Sequence, residues 1–188
     1  MWANWVGQSS AGWCRDGTIP GMATMWWIRR DLRAVDNEAL TAARRRDGEA
    51  IAVFCEDPAF GVQTARSSAL REALGRLEGT VGGILRVQGD PVEEIVKAAA
   101  AAGVREVHAT GDSGPYGRIR DGRVGEALGK IGIDFVVSGS NYLVAPGTIR
   151  NAKGAQMRTF SGFKKAWMKE IRGKAGTYAP LGVEGEAY

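Results

Sequence analysis

Three short clusters carry the side chains in this sequence that could do chemistry. The first is Arg29-Arg30-Asp31, at the end of the run Trp26-Trp27-Ile28-Arg29-Arg30-Asp31-Leu32-Arg33 and just before Asp36-Asn37. The second is Cys55-Glu56-Asp57-Pro58, and the third is Gly111-Asp112. Each follows an apolar stretch and precedes a helical pattern, so each sits at the carboxyl end of a strand. In an open α/β sheet that edge is where ligands bind, in the crevice where the strand order reverses. Arg30, Asp57 and Asp112 are therefore expected to converge on one pocket, with Arg66 reaching its rim from the following helix. Carboxylates and a guanidinium suit sugar or ribityl hydroxyls and ring N–H groups. Two carboxylates would repel a phosphate, so this reading favours a neutral or weakly charged heterocycle over a nucleoside triphosphate.

Other chemistries find little support. There is no GxGxxG after the first strand and no GxxxxGK[ST]. No GxSxG elbow is present, and His108 is the single histidine. One histidine makes a His-based metal site unpromising, and its place inside a strand suits a packed side chain. Cys14 and Cys55 are too few and too far apart for a disulfide framework or a CxxC knuckle. That usage, with no secretory signal and no apolar run of membrane-spanning length, points to the cytoplasm. Cys55 adjoins the expected pocket, where a buried thiol is usually an apolar filler. A net charge of +4 permits nucleic-acid contact without requiring it.

The elements that must position these residues alternate strand and helix from Met22 onward. Strands are predicted over 24–28, 50–55, 84–87, 106–110 and 134–137. The helices between them are predicted after Asp36 as N-cap, over 64–78, from Asp90-Pro91 with Glu93 completing a capping box, and over 119–130. Gly48 and Gly103 stop the first and third helices, and Gly79, Gly82 and Gly83 break the second. Arg44, Arg45 and Arg46 complement a helix carboxyl end. This rhythm implies a doubly wound, Rossmann-like α/β fold. Its five parallel strands run in the order 3-2-1-4-5, with helices on both faces and right-handed crossovers. Residues 1–21, with Trp2, Trp5 and Trp13 among Gly and Ser, are expected to be an extension or a misassigned start. Residues 22–140 form the α/β domain. Residues 141–188 read as a linker-like segment holding a short basic helix over 163–172.

Several segments in order resemble the DNA photolyase/cryptochrome family. The run WWIRRDLR followed by DN is similar to the family's first strand, and FCEDP (54–58) to its second. Arg66, Leu70, Leu74 and Leu77 keep the spacing of its next helix. LRVQGDP (85–91), PYGRIRD (115–121), SNYLVAPGTI (140–149) and RTFSGFKKAW (158–167) follow, with Ser161-Gly162-Phe163 where the family commonly has TPF. The resemblance implies the N-terminal antenna domain, which holds a light-harvesting chromophore that passes excitation to FAD in a following helical domain. By that resemblance Arg30, Cys55, Asp57, Arg66, Asp112 and Tyr116 are the cofactor-binding candidates, and no residue is catalytic. It favours 8-hydroxy-5-deazaflavin as the chromophore over 5,10-methenyltetrahydrofolate or FMN.

The FAD-binding helical domain of a deoxyribodipyrimidine photo-lyase, a carbon–carbon lyase of DNA repair, has no counterpart in these 188 residues. The chain is thus not expected to repair DNA alone, whether it is a truncated, split or standalone form. FAD would enter only with a separate helical partner. The alternatives are a generic nucleotide-binding α/β module and a non-catalytic fragment that pairs with such a domain. DNA contact through Arg118, Arg120, Lys164, Lys165 and Lys169 would be weak and non-specific, and no membrane partner is expected.

Overall fold

The computed structural model describes residues 24–60 and 65–174. Its elements in chain order are β1 (Thr24–Ile28), α1 (Glu38–Asp47), β2 (Ile51–Glu56), α2 (Ala65–Val81), β3 (Leu85–Gln88), α3 (Pro91–Ala102), β4 (Glu106–Gly111), α4 (Pro115–Gly129), β5 (Asp134–Ser140) and α5 (Phe160–Lys174). A short 3₁₀ turn covers Pro58–Phe60. All strand pairs are parallel, as the alternation of elements requires, and the order is β3-β2-β1-β4-β5.

The run of apolar residues in β1 is buried throughout because both sheet faces are covered. Successive side chains go to opposite faces. Met25 and Trp27 join Val53, Cys55, Val107 and Ala109 under α3 and α4. Trp26 and Ile28 join Ala52 and Phe54 under α1 and α2. His108 is buried in β4, with Nε2 3.0 Å from the Glu106 carboxylate, and takes a packed place in the sheet. The 1–21 extension lies outside the described residues. Beyond β5 the chain forms turns and one isolated antiparallel bridge, Arg150 to Gln156, before α5.

Several boundaries differ from expectation, each for a local reason. The N-cap of α1 is Asn37, not Asp36, which takes a left-handed backbone (φ 51°). Asn37 Oδ1 accepts from the Leu40 amide at 3.0 Å while its Nδ2 donates to Asp31 Oδ2 at 3.1 Å. A carboxylate can accept but cannot donate, so an aspartate could not fill both roles. Helix α2 runs through Gly79 and ends at Gly82, whose φ of 83° is the left-handed stop. Asp90 caps α3 as expected, accepting from the Val92 amide at 2.8 Å. Glu93, however, lies 3.7 Å from Lys97 instead of closing a capping box. Helix α4 begins at Pro115, four residues early, because proline is well placed in a first turn. Strand β5 extends to Ser140 and α5 starts at Phe160.

Candidate functional site

A cavity of about 480 Å³ opens at the carboxyl ends of β1 and β2. Trp27, Ile28, Phe54, Phe60, Leu70 and Ala73 make its walls, so that α2 closes one side. Arg29, Arg30, Cys55, Asp57 and Arg120 supply its polar and titratable groups. The volume lies in the range of small-ligand sites, and the mixture of aromatic walls with a few polar groups suits a planar heterocycle.

The expected pocket between β1 and β4 is partly filled by the protein's own side chains. Asp31, 5% exposed, accepts from Thr110 Oγ1 at 2.6 Å and from Asn37 Nδ2 at 3.1 Å. Arg29 ion-pairs with Asp121 and donates to the Thr110 carbonyl. Burial pulls the Arg29 pKa down from its ordinary value, and the Asp121 carboxylate opposes that shift. This network plugs the switch point and displaces the apolar cavity toward β2. A second, more polar depression of about 440 Å³ remains beside α1, lined by Arg33, Asn37, Thr110 and Tyr142 among others.

The sequence-derived candidates separate accordingly. Arg30 is exposed and lines the cavity. Asp57 lines it too, but both its oxygens are engaged: Oδ1 accepts from the Ala59 amide at 2.9 Å and Oδ2 accepts from the Tyr116 hydroxyl. Tyr116 does not line the cavity; its ring meets Phe60 edge-on at 5.3 Å and so braces two residues that do. Burial, then the hydrogen bond to Asp57, pushes the Tyr116 phenol up to about 12. Cys55 lies in the wall with Sγ 3.5 Å from the Gly89 carbonyl. Burial first, then Asp57 and Glu94, push its thiol up to about 12, which leaves it protonated and a poor nucleophile. Arg66 belongs to α2, and its side chain lies outside what the structure describes.

Asp112 departs from expectation, because it is not among the residues that line the cavity. Its Oδ1 accepts from the Gly114 amide at 3.0 Å, and its Oδ2 lies 3.5 Å from Arg120. It thus serves the amino end of α4, whose N-cap residue Gly114 has no side chain to do so. Gly117 is required for that arrangement, since a Cβ there would fall 2.2 Å from the Asp112 Cγ. Two carboxylates therefore do not meet in the pocket; Asp57 alone lines it.

Arg29 was expected only as part of its cluster and Arg120 as a weak DNA contact; instead both line the cavity, and Arg120, 7% exposed, is buried away from any DNA surface. Both are buried guanidiniums that share Asp121 and lie 4.9 and 5.0 Å from the Trp27 ring centroid. Such contacts fix a ring and a cation together. Period 2 gives no signal here, because both faces of β1 are buried; the burial of Arg29 and Arg120 comes from pairing with Asp121 across the fold. Among the described residues no group of three or more His, Cys, Asp or Glu could hold a metal ion.

Fold and site together define a doubly wound α/β module with a ligand-sized cavity at its carboxyl edge. The DNA photolyase family profile matches residues 24–181, and the chain belongs to that family. It is 33% identical over 155 residues to a deoxyribodipyrimidine photo-lyase of Synechococcus sp., covering 78% of this chain and 32% of that protein. A class III photolyase from Agrobacterium tumefaciens superposes with a TM-score of 0.73 at 22% identity, over 84% of this chain and 33% of the other. An archaeal photolyase from Sulfolobus tokodaii, described with two FAD molecules and a novel light-harvesting cofactor, gives a TM-score of 0.59 at 22% identity. It is matched over 76% of this chain and 33% of its own length. The chain thus spans about a third of these relatives and corresponds to their N-terminal α/β domain.

Proposed function

We propose that this domain binds a light-harvesting chromophore and holds it for transfer of excitation to a flavin in a helical partner. The observation that carries the reading is the aromatic-walled cavity at the carboxyl edge of β1 and β2. The donor set fits a flavin-like ring. Trp27, Phe54 and Phe60 offer flat apolar walls, Asp57 offers an acceptor at the rim, and Arg30 an exposed donor. When bound, the pigment supplies absorption in the near-ultraviolet or blue and the excited state to be passed on. The protein's residues exclude water from the ring, fix its orientation and keep the site rigid through the Arg29–Asp121–Arg120 network. The family resemblance favours 8-hydroxy-5-deazaflavin, with FMN and 5,10-methenyltetrahydrofolate as the other candidates. Cys55, Arg66, Asp112 and Tyr116 complete the proposed surroundings, Asp112 and Tyr116 as supports for Arg120 and Asp57.

The test is reconstitution of the full chain with each of the three pigments, read by absorbance and equilibrium dialysis. One of them is expected to bind, and Asp57→Ala is expected to weaken it about tenfold, the scale of one lost charge-assisted hydrogen bond. If none of the three binds, the reading fails.

A second element of the proposal is a helical partner. On α5, Phe160 is 77% exposed, and Phe163 and Met168 are exposed as well. An apolar stripe of this kind flanked by Lys164, Lys165 and Lys169 suits a protein–protein contact. We infer that it receives the FAD-binding helical domain that the relatives' remaining length would supply. Photorepair of DNA would require that domain. Among the described residues no helix is long and apolar enough to cross a membrane. A cytoplasmic setting is the one proposed.

A further inference from the structure

The two edges of the sheet are built differently. At one, β3 is four residues long, and its exposed Arg86 pairs with Glu78 at 2.8 Å. A short strand carrying a charge at the rim resists pairing with another chain. At the other, β5 runs for seven residues, and Asp134 is its one charged side chain. The Asp134 amide donates to the Arg105 carbonyl at 2.9 Å, so Asp134 and Val136 turn their backbone groups toward β4. Phe135 and Val137 turn theirs outward. Among the described residues β5 pairs with β4 alone, which leaves those outward groups without a strand partner. The Val137 side chain is 52% exposed on this edge, and Ile131 before the strand and Tyr142 after it are exposed as well.

We infer that β5 is an interaction surface for a second copy of this chain, the two β5 edges pairing antiparallel about a twofold axis at Val136. The contact joins two five-stranded sheets into one continuous sheet. A twofold contact must be self-complementary, and this register is. Phe135 of each copy falls opposite Val137 of the other, and each such pair exchanges two hydrogen bonds through the outward backbone groups. An aromatic ring beside a β-branched side chain is a favourable cross-strand pair. Val136 meets its own copy. Asp134 falls opposite Ser138, a hydroxyl donor, so no like charges meet across the axis. The Ile131 end of one strand comes to the Tyr142 end of the other, which adds apolar area at both ends of the contact. Gly139, with its left-handed φ of 72°, lies beyond these pairs and does not disturb them. The cavity at β1 and β2 is separated from this edge by β4, so the inference is independent of the chromophore reading.

The experiment is sedimentation velocity of the full chain over a loading series from about 2 to about 200 µM, the range suited to a small interface. The sedimentation coefficient is expected to climb from monomer to dimer across the series and stop there. Amide hydrogen exchange of the unmodified chain at the two ends of the series locates the contact: the Phe135 and Val137 amides should exchange about tenfold more slowly at the high concentration, and those of β3 at the same rate. Val137→Lys places a charge on the edge and should raise the dimer dissociation constant about tenfold or more, with thermal unfolding confirming that the monomer stays folded. Val137→Ile, which keeps the β-branch, should keep the dimer. Phe160→Lys, on the exposed stripe of α5, should keep it too. A chain that stays monomeric to the top of the series overturns the inference, as does association that continues past the dimer. So does a dimer that survives Val137→Lys, one that is lost in Phe160→Lys, or slowed exchange that falls elsewhere than on β5. Each of those results leaves the cavity and its proposed ligand as they stand.

Discussion

Cys55 and its surroundings show how burial, more than any partner, sets the chemistry of a residue in this domain. The thiol's ordinary pKa of 9.0 rises to about 12 because the thiolate would lose its hydration in the wall of the cavity. The sign of the consequence follows from linkage. Below pH 9 both the folded and the unfolded chain hold the proton. Between about 9 and 12 the unfolded chain releases it and the folded one does not, so stability is lost as pH rises through that window. Tyr116 adds a contribution of the same sign from 10 to about 12, diluted because its ring is 42% exposed. Thermal unfolding followed from pH 8 to 11 should therefore show a falling midpoint, and Cys55→Ala should make the fall shallower from its onset. A profile identical in Cys55→Ala would mean that the thiol carries no such linkage.

Arg29 and Arg30 are neighbours, yet one is sealed against Trp27 and Asp121 and the other is exposed at the cavity. Cluster composition cannot separate them. Strand periodicity cannot either, because both faces of β1 are buried and the strand ends at Ile28; the partners Asp121 and Thr110, distant in sequence, decide which arginine is sealed.

Among the elements, α1 depends most on one side chain. Asn37 accepts from the Leu40 amide and donates to the Asp31 carboxylate and the Arg33 carbonyl, at 3.0, 3.1 and 3.0 Å. It joins the amino end of α1 to the network that fills the β1–β4 junction. Asn37→Ala removes the cap and leaves a buried carboxylate one donor short, a combined cost of about 1–3 kcal/mol. Asp36→Asn, at an exposed position that a short amide tolerates in the left-handed region, should stay within about 0.5 kcal/mol. Urea unfolding at constant slope separates the two; equal midpoints would show that the cap is not at Asn37. The start of α3 was legible because Asp90-Pro91 places a cap and a pre-set φ side by side. The start of α4 was not, because Gly114 holds the cap position and Asp112, two residues earlier, accepts its amide proton. The parallel sense of the sheet needed only the alternation of strands and helices, which short-range detail does not disturb; its order is one of several that the same alternation permits.

Over the whole molecule, charge and packing divide along the same line. The α/β body buries its apolar residues in two layers, one on each face of the sheet. Residues 141–174 contribute none of those core side chains, yet hold eight Lys and Arg against Glu170 alone, while the rest of the chain is net negative. A basic segment on an otherwise acidic body makes any contact with a polyanion local and electrostatic. Binding of the full chain to duplex DNA is accordingly expected to be weak, indifferent to sequence and steeply dependent on salt. Each lysine–phosphate contact adds about 0.9 to the slope of log affinity against log salt. Replacing Lys164, Lys165 and Lys169 together with glutamine should thus lower the slope by up to about 3. Thermal stability should be unchanged, because these side chains are exposed on a helix outside both core layers. Fluorescence anisotropy with two unrelated duplexes over a salt series measures both quantities. A slope that the triple variant leaves intact would move the contact to the α/β body, where Arg118 and Arg123 are exposed cations on α4.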